Sequence, residues 1–281
     1  MNEVQSFLLE GCGIRGALVR LEETWQQVIA LHTYPPDLKR LLGESVAATV
    51  LLASSLKARP RVSIQLQSEG PLKLLLIQCT EDLRVRGMAQ CEARALGEPW
   101  FSGGRLAVNV DMHGPNGFFQ GIVPLVSPHI DECLEAYFTQ SEQLPTRFVL
   151  KSTERRIGGL MLQALPGVSF DDENFRTAAT LAQTVSTEEL ASTAADALLP
   201  RIFTGYDIRL FEARPVLHDC RCTPDHLASI VRLLGEDEIE SLLGDPGCVE
   251  ITCEFCNRTF RYDDEDVAAI MRGETPAQLL H

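Results

Sequence analysis

The hydrophobic pattern along the first 170 residues changes period several times, and each change predicts a new helix or strand. Apolar residues recur at steps of three and four over residues 35–56, which predicts one long helix that begins at a pair of prolines. Apolar and polar residues alternate over residues 62–66, which predicts a strand, and turn residues at 69–71 separate it from a second apolar run. The same reasoning predicts further strands at 13–21, 72–79, 83–88, 106–112, 119–125, 147–151 and 159–164, and helices at 22–32 and 130–138.

The order of these elements predicts an α+β fold with three parts. Residues 1–170 are expected to form an N-terminal mixed sheet-and-helix domain, in which the long helix covers a sheet. Residues 171–214 are expected to form a helical linker, because Ala, Thr and charged residues dominate and the helices are only weakly amphipathic. Ser186 and Glu189 fit a capping box there, but the apolar stripe is too thin for a helix that stands alone.

Residues 215–281 contain five of the nine cysteines and are expected to form a small C-terminal domain. Its pattern predicts a helix at 224–234, a hairpin made of 249–253 and 259–262, and a final acidic helix at 263–272. A module of this size buries too little surface to be comfortably stable by itself. Removal of a bound metal ion is therefore expected to unfold it.

Composition and charge narrow the range of functions. The chain has 281 residues, of which 45% are hydrophobic and 23% charged, as in an ordinary globular protein. Its net charge of −14 repels phosphate backbones, so no nucleic-acid partner is expected. The sequence has no basic and apolar export signal and no long apolar run, so we expect a cytoplasmic protein that does not bind a membrane. Cytoplasmic cysteines are mostly reduced thiols, which favours metal binding or redox sensing over a disulfide framework.

Four of the nine cysteines form two tight pairs, which are separated by thirty residues. Cys220 and Cys222 make up the first pair, and Cys253 and Cys256 make up the second. Each short loop can supply two thiolates to a tetrahedral zinc ion, and the metal then joins two distant parts of the chain. The sequence therefore predicts one zinc ion per chain, bound by these four cysteines in the reduced state.

The cysteine pairs leave more than one interpretation open. They can form an inert structural zinc site, or they can form a redox switch. Tetrahedral zinc holds its sulfur ligands about 3.8 Å apart, whereas a disulfide needs about 2.05 Å, so small motions can close a disulfide within each pair and expel the metal. A catalytic zinc is disfavoured, because four thiolates leave no coordination position for water.

The remaining candidate residues are given ordinary structural roles. His218 and Cys248 lie near the pairs, and either one could replace one of the four zinc ligands. The favoured interpretation is a surface histidine and a small buried thiol. The glycine pairs 103–104 and 158–159 are interpreted as turn glycines. No phosphate loop, dinucleotide fingerprint or Ser-His-Asp context appears, so no enzymatic activity is expected. Four scattered cysteines are interpreted as buried, inert thiols: Cys12, Cys79, Cys91 and Cys133.

Several motifs together resemble those of the redox-regulated heat-shock protein 33 family, also called the 33 kDa chaperonin family. The resemblance extends over nearly the whole chain and is more specific than the zinc spacing alone. It is carried by both cysteine pairs, by residues 249–252 before the second pair, by Asn257 and Phe260 after it, and by Thr24-Trp25, His32, Tyr34-Pro35, residues 41–44, Leu56-Lys57 and residues 86–89.

The resemblance implies an ATP-independent holdase that binds unfolded or partly unfolded client proteins. It implies a chain that is inactive when reduced and zinc-bound, and that becomes an active homodimer after oxidation. The implied disulfides join Cys220 to Cys222 and Cys253 to Cys256, and the implied downstream partners are ATP-driven foldase chaperones. Cys248 departs from the family pattern. It leaves the disulfide pairing open, because a fifth nearby thiol can exchange with the other four. The alternative is a constitutive zinc-binding interaction module that never switches.

Overall fold

The computed structural model describes residues 1–56, 60–92, 99–101, 103–112, 117–169, 171–220, 222–223, 229, 232 and 248–272. The chain forms two compact units, Met1–Asp219 and Cys220–His281. Both sheets and helices are present, so the predicted α+β class is confirmed. The predicted helix at 224–234 lies almost wholly outside the described residues.

The first unit contains twelve strands and six α-helices among its described residues. The strands are β1 (Asn2–Leu9), β2 (Ile14–Leu21), β3 (Arg61–Gln67), β4 (Leu72–Cys79), β5 (Arg84–Cys91), β6 (Arg105–Asp111), β7 (Phe118–Pro124), β8 (Thr146–Ser152), β9 (Ile157–Ala164), β10 (Ile208–Leu210), β11 (Arg214–Pro215) and β12 (Leu217–His218). The helices are α1 (Glu23–Ile29), α2 (Pro36–Ser55), α3 (Ile130–Tyr137) with a π-helical turn (Phe138–Glu142) after it, α4 (Glu173–Gln183), α5 (Thr187–Ser192) and α6 (Ala195–Ile202).

The strands of this unit form two sheets. The first sheet has the order β10-β1-β2-β9-β8, and β11 also pairs with β1. The second sheet has the order β12-β5-β4-β3-β6-β7. Neighbouring strands are antiparallel except for β12, which runs parallel to β5.

Helix α2 lies between the two sheets and is the centre of the main core. It begins with Pro36 in its first turn, where a missing N–H costs nothing. Thirteen of its twenty residues are buried, which is far more than the one apolar stripe of a surface helix. The hydroxyls of Ser45 and Thr49 are buried too, and each donates a hydrogen bond to the carbonyl four residues earlier, at 2.8 Å. Both faces of α2 therefore pack against other elements of the main core.

A second core lies on the opposite face of the first sheet, beneath α4, α5 and α6. Every residue of β9 is buried, because α2 covers one face of this strand and the later helices cover the other. Leu160 and Leu162 point into the second core, whereas Met161 points into the main core. The first sheet is thus a wall shared by two hydrophobic cores.

The glycine pair in β9 corrects one prediction. Gly158 and Gly159 were expected in a turn, but they lie inside the strand. A Cβ on Gly158 would lie 2.8 Å from the carbonyl carbon of Leu190 in α5. A Cβ on Gly159 would lie 3.0 Å from Leu51 in α2. The glycines therefore let one helix approach each face of the strand.

Other differences concern short or edge elements. Strand β1 was not predicted, because its apolar residues do not alternate strictly. Strands β10, β11 and β12 were not predicted either, since each has only two or three residues. The main helices and the longer strands lie close to their predicted positions.

Substitution of the two glycines separates the two packing contacts. Gly158→Ala places a methyl group against the backbone of α5, which cannot move without undocking, and is expected to destabilise that contact by about 1–3 kcal/mol. The amide of Leu190, which donates to the Ser186 carbonyl, should then exchange faster with solvent. Gly159→Ala is the matched control, because its neighbours are side chains of α2 and β2. Equal exchange of the Leu190 amide in both variants would contradict this packing.

The buried carboxyl of Glu44 predicts a pH dependence of stability. Burial raises its pKa to about 7, and Asp131 adds to the rise, while Arg40 and Lys151 oppose it. The folded state therefore holds the proton more tightly than the unfolded state, so stability falls as pH rises from about 4.5 through 7.

Glu44→Gln removes this proton-linked change. The variant should be more stable than the parent at pH 8 by about 1–3 kcal/mol, and nearly equal to it at about pH 5. Urea unfolding of the reduced protein at both pH values measures the difference. Glu132→Gln on α3 is the control, because it removes an exposed carboxylate. A gain for Glu44→Gln that is the same at both pH values would contradict the prediction.

Candidate metal and redox centre

The second unit is built around a short hairpin that presents two of the cysteines. Strand β13 (Cys248–Thr252) pairs antiparallel with β14 (Thr259–Asp263), and Ile251 lies opposite Phe260. The loop between the strands contains Cys253 and Cys256. It closes through hydrogen bonds from the Cys253 amide to the Arg258 carbonyl and from the Asn257 amide to the Cys253 carbonyl. Asn257 adopts a left-handed conformation (φ 54°), which asparagine tolerates well.

Cysteines form part of the hydrophobic core of this unit. Helix α7 (Asp264–Met271) follows β14 directly, and its capping box joins Asp263 and Asp266. The side chains of Tyr262 and Ile270 are fully buried. Among the described residues, the core consists of Cys222, Val249, Cys253, Phe260, Tyr262, Val267 and Ile270. Because short chains bury little surface, a crosslink through the cysteines is expected to matter for this unit.

The structure brings together the four sulfur atoms that the spacing singled out. The Sγ atoms of Cys220, Cys222, Cys253 and Cys256 all lie within 4.8 Å of one another. The distance is 3.6 Å between Cys220 and Cys253, and 3.1 Å between Cys222 and Cys256. A tetrahedral zinc ion needs sulfur atoms about 3.8 Å apart. The donor set and its spacing therefore fit a zinc ion.

The thiols differ in their environments. Cys222 and Cys253 are buried, whereas Cys220 and Cys256 are half-buried. Burial raises the pKa of Cys222 and Cys220, and neighbouring sulfur atoms raise the pKa of Cys222 further. Burial also opposes ionisation of Cys253, but N–H groups of Cys256 and Phe255 donate to its sulfur and bring its pKa below the usual value.

This arrangement permits two kinds of chemistry. Four thiolates can complete the coordination sphere of a metal ion, which leaves no position for a substrate. The same four sulfur atoms can lose electrons in pairs and form disulfides. The two short contacts run between the pairs, from Cys220 to Cys253 and from Cys222 to Cys256, so the arrangement does not by itself select one disulfide pairing.

The two other residues considered near the pairs do not belong to the four-sulfur cluster. His218 is half-buried in β12, and burial lowers its pKa. Cys248 is half-buried at the start of β13, opposite Asp263.

The scattered cysteines only partly match their predicted burial. Cys79 and Cys133 are buried as expected, and burial raises the pKa of Cys79 to about 12. Cys12 is half-buried. Cys91 contradicts the expectation, because it is exposed at the end of β5. Cys91 still lies opposite Leu72 of β4, so its exposure reflects a lack of packing on its side chain, which the sequence does not reveal.

One exposed apolar surface was not recognised from the sequence. A strand was expected at residues 119–125, but Phe118 and Phe119 of β7 are 63% and 60% exposed. Ile122 and Val126 nearby are also exposed. Among the described residues, β7 pairs with β6 only, so its second edge is open. An open strand edge can pair with another extended chain, and the exposed aromatic side chains can contact the apolar groups of that chain.

The helices of the described residues were also compared with the requirements of a membrane span. None of them is both long enough and apolar enough to cross a bilayer.

Known proteins match this chain over nearly its full length. A chaperonin of 33 kDa from Nitrosococcus oceani is 38% identical over 280 residues, which covers 98% of this chain and 96% of the relative. The 33 kDa chaperonin of Pseudomonas aeruginosa is 36% identical over 295 residues, with 100% and 99% of the two chains covered. The fold is similar to the crystal structure of a 33 kDa chaperonin from Thermotoga maritima, with a TM-score of 0.82, 20% identity, and coverage of 97% of this chain and 99% of that one.

The family assignment rests on a match along most of the sequence. The profile of the family described as Hsp33 protein matches residues 2–263, which includes both cysteine pairs. The resemblance noted from the motifs is therefore confirmed. The relatives carry the name of a chaperone, and a chaperone acts on client proteins. We conclude that the chain belongs to the Hsp33 family of chaperones.

Proposed function

We propose that this protein is a cytoplasmic, ATP-independent holdase that oxidation of its four clustered cysteines switches on. The carrying observation is that the four sulfur atoms lie within 4.8 Å of one another, and that two of the four cysteines belong to the described hydrophobic core of their unit. The reduced form binds one zinc ion and is inactive as a holdase. The oxidised form loses the zinc and binds unfolding proteins tightly.

Cys220, Cys222, Cys253 and Cys256 are the proposed zinc ligands. The metal supplies positive charge that stabilises all four thiolates, and it crosslinks two segments of the chain. Structural zinc contributes about 10–16 kcal/mol to the folding of small domains, which exceeds what the described core of this unit can supply. Cys222 and Cys253 belong to that core, so loss of the metal ion is expected to destabilise the core as well.

Oxidation breaks the zinc site by consuming its thiolates. Two thiolates, one hydrogen peroxide molecule and two protons give one disulfide and two water molecules, so the four cysteines reduce two peroxide molecules. The proposed disulfides join Cys220 to Cys222 and Cys253 to Cys256, because each pair lies in one short loop. A disulfide across one intervening residue is strained, which favours its later reduction by thiols.

Unfolding of the zinc-binding unit after zinc release is proposed to expose apolar surface in the rest of the chain. Residues 171–214 are the proposed metastable linker, and helices α4–α6 within it cover the second core of the first sheet. These helices are short, with 11, 6 and 8 residues, so they need tertiary packing to persist. Their release would uncover large side chains on the sheet, including Phe7 and Leu162.

The three regions have different proposed roles. Residues 1–170 are the core and the client-binding domain, and residues 215–281 are the redox-switch domain. The exposed apolar residues of β7 are proposed to contact the apolar side chains of clients. The active form is a homodimer, which passes clients to ATP-driven foldases. The alternative is a zinc module that binds partners without switching; it predicts no change of activity on oxidation.

The proposal predicts that zinc loss and chaperone activity rise together. Treatment of the reduced protein with peroxide or hypochlorite should release one zinc ion per chain and suppress aggregation of a denatured client. A thiol reductant with added zinc should reverse both changes. Zinc content is measured with a colorimetric chelator and aggregation by light scattering. If zinc is retained, or is lost without any holdase activity, the switch is refuted and the constitutive module remains.

Two matched serine substitutions test the assignment of the ligands. Cys253→Ser should abolish tight zinc binding, because it removes a buried thiolate from the core of the second unit. Cys248→Ser is the control, and it should keep one zinc ion and normal activation, because Cys248 lies outside the four-sulfur cluster. Mass-spectrometric mapping of the oxidised parent should find the two proposed disulfides. Loss of zinc in Cys248→Ser would show that the ligand set is wrong.

A further inference from the structure

A small cavity lies between the two sheets of the first unit, at the C-terminal end of α2. Its volume is about 100 Å³. Apolar side chains line most of it: Leu52, Leu56, Val62, Val108, Val110 and Leu144. In the described part of the chain, its lining includes no residue of the cysteine cluster and none of α4–α6. The proposed redox switch therefore gives this cavity no role.

One wall of the cavity carries a guanidinium group that is held in place by a buried amide. Arg15 of β2 lies directly opposite Gln163 of β9, and both side chains line the cavity. The Nε atom of Arg15 donates to the side-chain oxygen of Gln163 at 3.0 Å, and Nη2 donates to the same oxygen. Nη1 donates to the Ser55 carbonyl at 3.3 Å. Because Gln163 is only 3% exposed, it fixes the position of the guanidinium.

The charge of Arg15 has no counter-ion in direct contact within the described residues. All its acceptors are uncharged oxygen atoms, and burial lowers the pKa of its guanidinium. A guanidinium has five N–H groups, and these contacts use only some of them. A partly buried charge without a partner is costly. The remaining donors beside an apolar cavity therefore favour an anionic ligand.

A second, independent feature marks the same cavity. Tyr137, Phe138 and Glu142 line its other wall, and Phe138–Glu142 form the π-helical turn. Gln143 follows in the left-handed conformation, with φ 54°. Isolated π-helical turns are rare and often lie at functional sites, and strained backbone is retained at ligand clamps. The irregular backbone therefore shapes a cavity wall.

The lining also determines which anions fit. Glu142 is exposed, and its carboxylate accepts a hydrogen bond of 3.1 Å from the hydroxyl of Tyr137. A carboxylate at the rim disfavours ligands with two negative charges, because like charges repel. The apolar lining disfavours a polar ligand body. An apolar cavity of about 150 Å³ accepts the six carbons of benzene, so about 100 Å³ accepts roughly four carbons.

We propose that this cavity is a binding site for short aliphatic monocarboxylates, with the carboxylate on Arg15 and a tail of about four carbons between Leu52, Val62 and Val108. The inference goes beyond the proposed holdase and does not depend on its redox switch. A bound carboxylate would stabilise the first unit by mass action. The zinc site of the second unit would keep its metal.

Pentanoate tests the site on the full-length, reduced and zinc-bound protein. It should shift the methyl NMR signals of Val62 and Val108 in a saturable way, with a Kd on the order of 1 mM. Pentan-1-ol has the same tail without the charge and should bind at least about tenfold more weakly. Succinate should not bind, because its second carboxylate would enter the apolar cavity.

Three results would overturn the inference. The first is equal binding of pentanoate and pentan-1-ol, which would mean that Arg15 does not recognise the carboxylate. The second is a pentanoate shift at Ile122 and Val126 with none at Val62 and Val108, which would place the ligand on the exposed surface of β7. The third is the absence of any saturable shift.

Two arginine substitutions separate the charge in the cavity from an equivalent charge on the surface. Arg15→Gln should weaken pentanoate binding about tenfold and leave pentan-1-ol binding unchanged. Arg105→Gln is the matched control. Arg105 also lies opposite a glutamine, Gln67, and donates to its side-chain oxygen from Nε and Nη2 at 2.8 and 2.5 Å, but it is exposed and outside the cavity.

The control variant should bind both ligands as the parent does. An equal loss of both ligands in Arg15→Gln, or the same loss of pentanoate in both variants, would overturn the inference. If Arg15→Gln does not fold, Val110→Phe decides, because Val110 is half-buried and a larger side chain there fills the cavity. Binding of both ligands should then be lost, and pentanoate binding as in the parent would refute the site.

Discussion

The burial of β9 on both faces is the constraint on which the rest of the first unit depends. A strand that is buried on both faces must contact a separate core on each face. The main core, with α2 at its centre, packs on one face, and α4–α6 pack on the other. The two glycines at 158 and 159 make this possible, since each removes a side chain where a helix backbone or side chain lies close. The first sheet therefore packs against the main core on one face and against α4–α6 on the other.

In the proposed switch, this arrangement separates a part that stays folded from a part that leaves. The main core includes residues of both sheets and of α2, so it would keep its own hydrophobic cluster if α4–α6 undocked. The second core takes large side chains from both sides, such as Phe7 and Leu160 from the sheet and Phe175 and Leu198 from the helices. Undocking of the helices would therefore expose apolar groups on the sheet and on the helices alike.

The fold could be predicted from the sequence where a long, regular hydrophobic pattern fits only one kind of secondary structure. Helix α2 and strand β3 are examples, since twenty and seven residues repeat one period. The cysteine cluster was visible from spacing alone, because close thiol pairs have few other uses in reduced chains. Local patterns cannot report contacts between distant segments. The pairing of β12 with β5, the strand position of Gly158 and the exposure of Cys91 all depend on such contacts.

The pairing of β2 with β9 also determines when this protein can fold during its synthesis. Ile14 pairs with Ala164, whereas the second sheet pairs β3, β4, β5, β6 and β7 over much shorter separations. Local pairings form early and distant pairings form late. The N-terminal hairpin must therefore wait, unpaired on its β9 side, until the ribosome has released residues beyond 164. A newly made molecule of this chaperone passes through the same unfolded, apolar condition as the proteins that it binds.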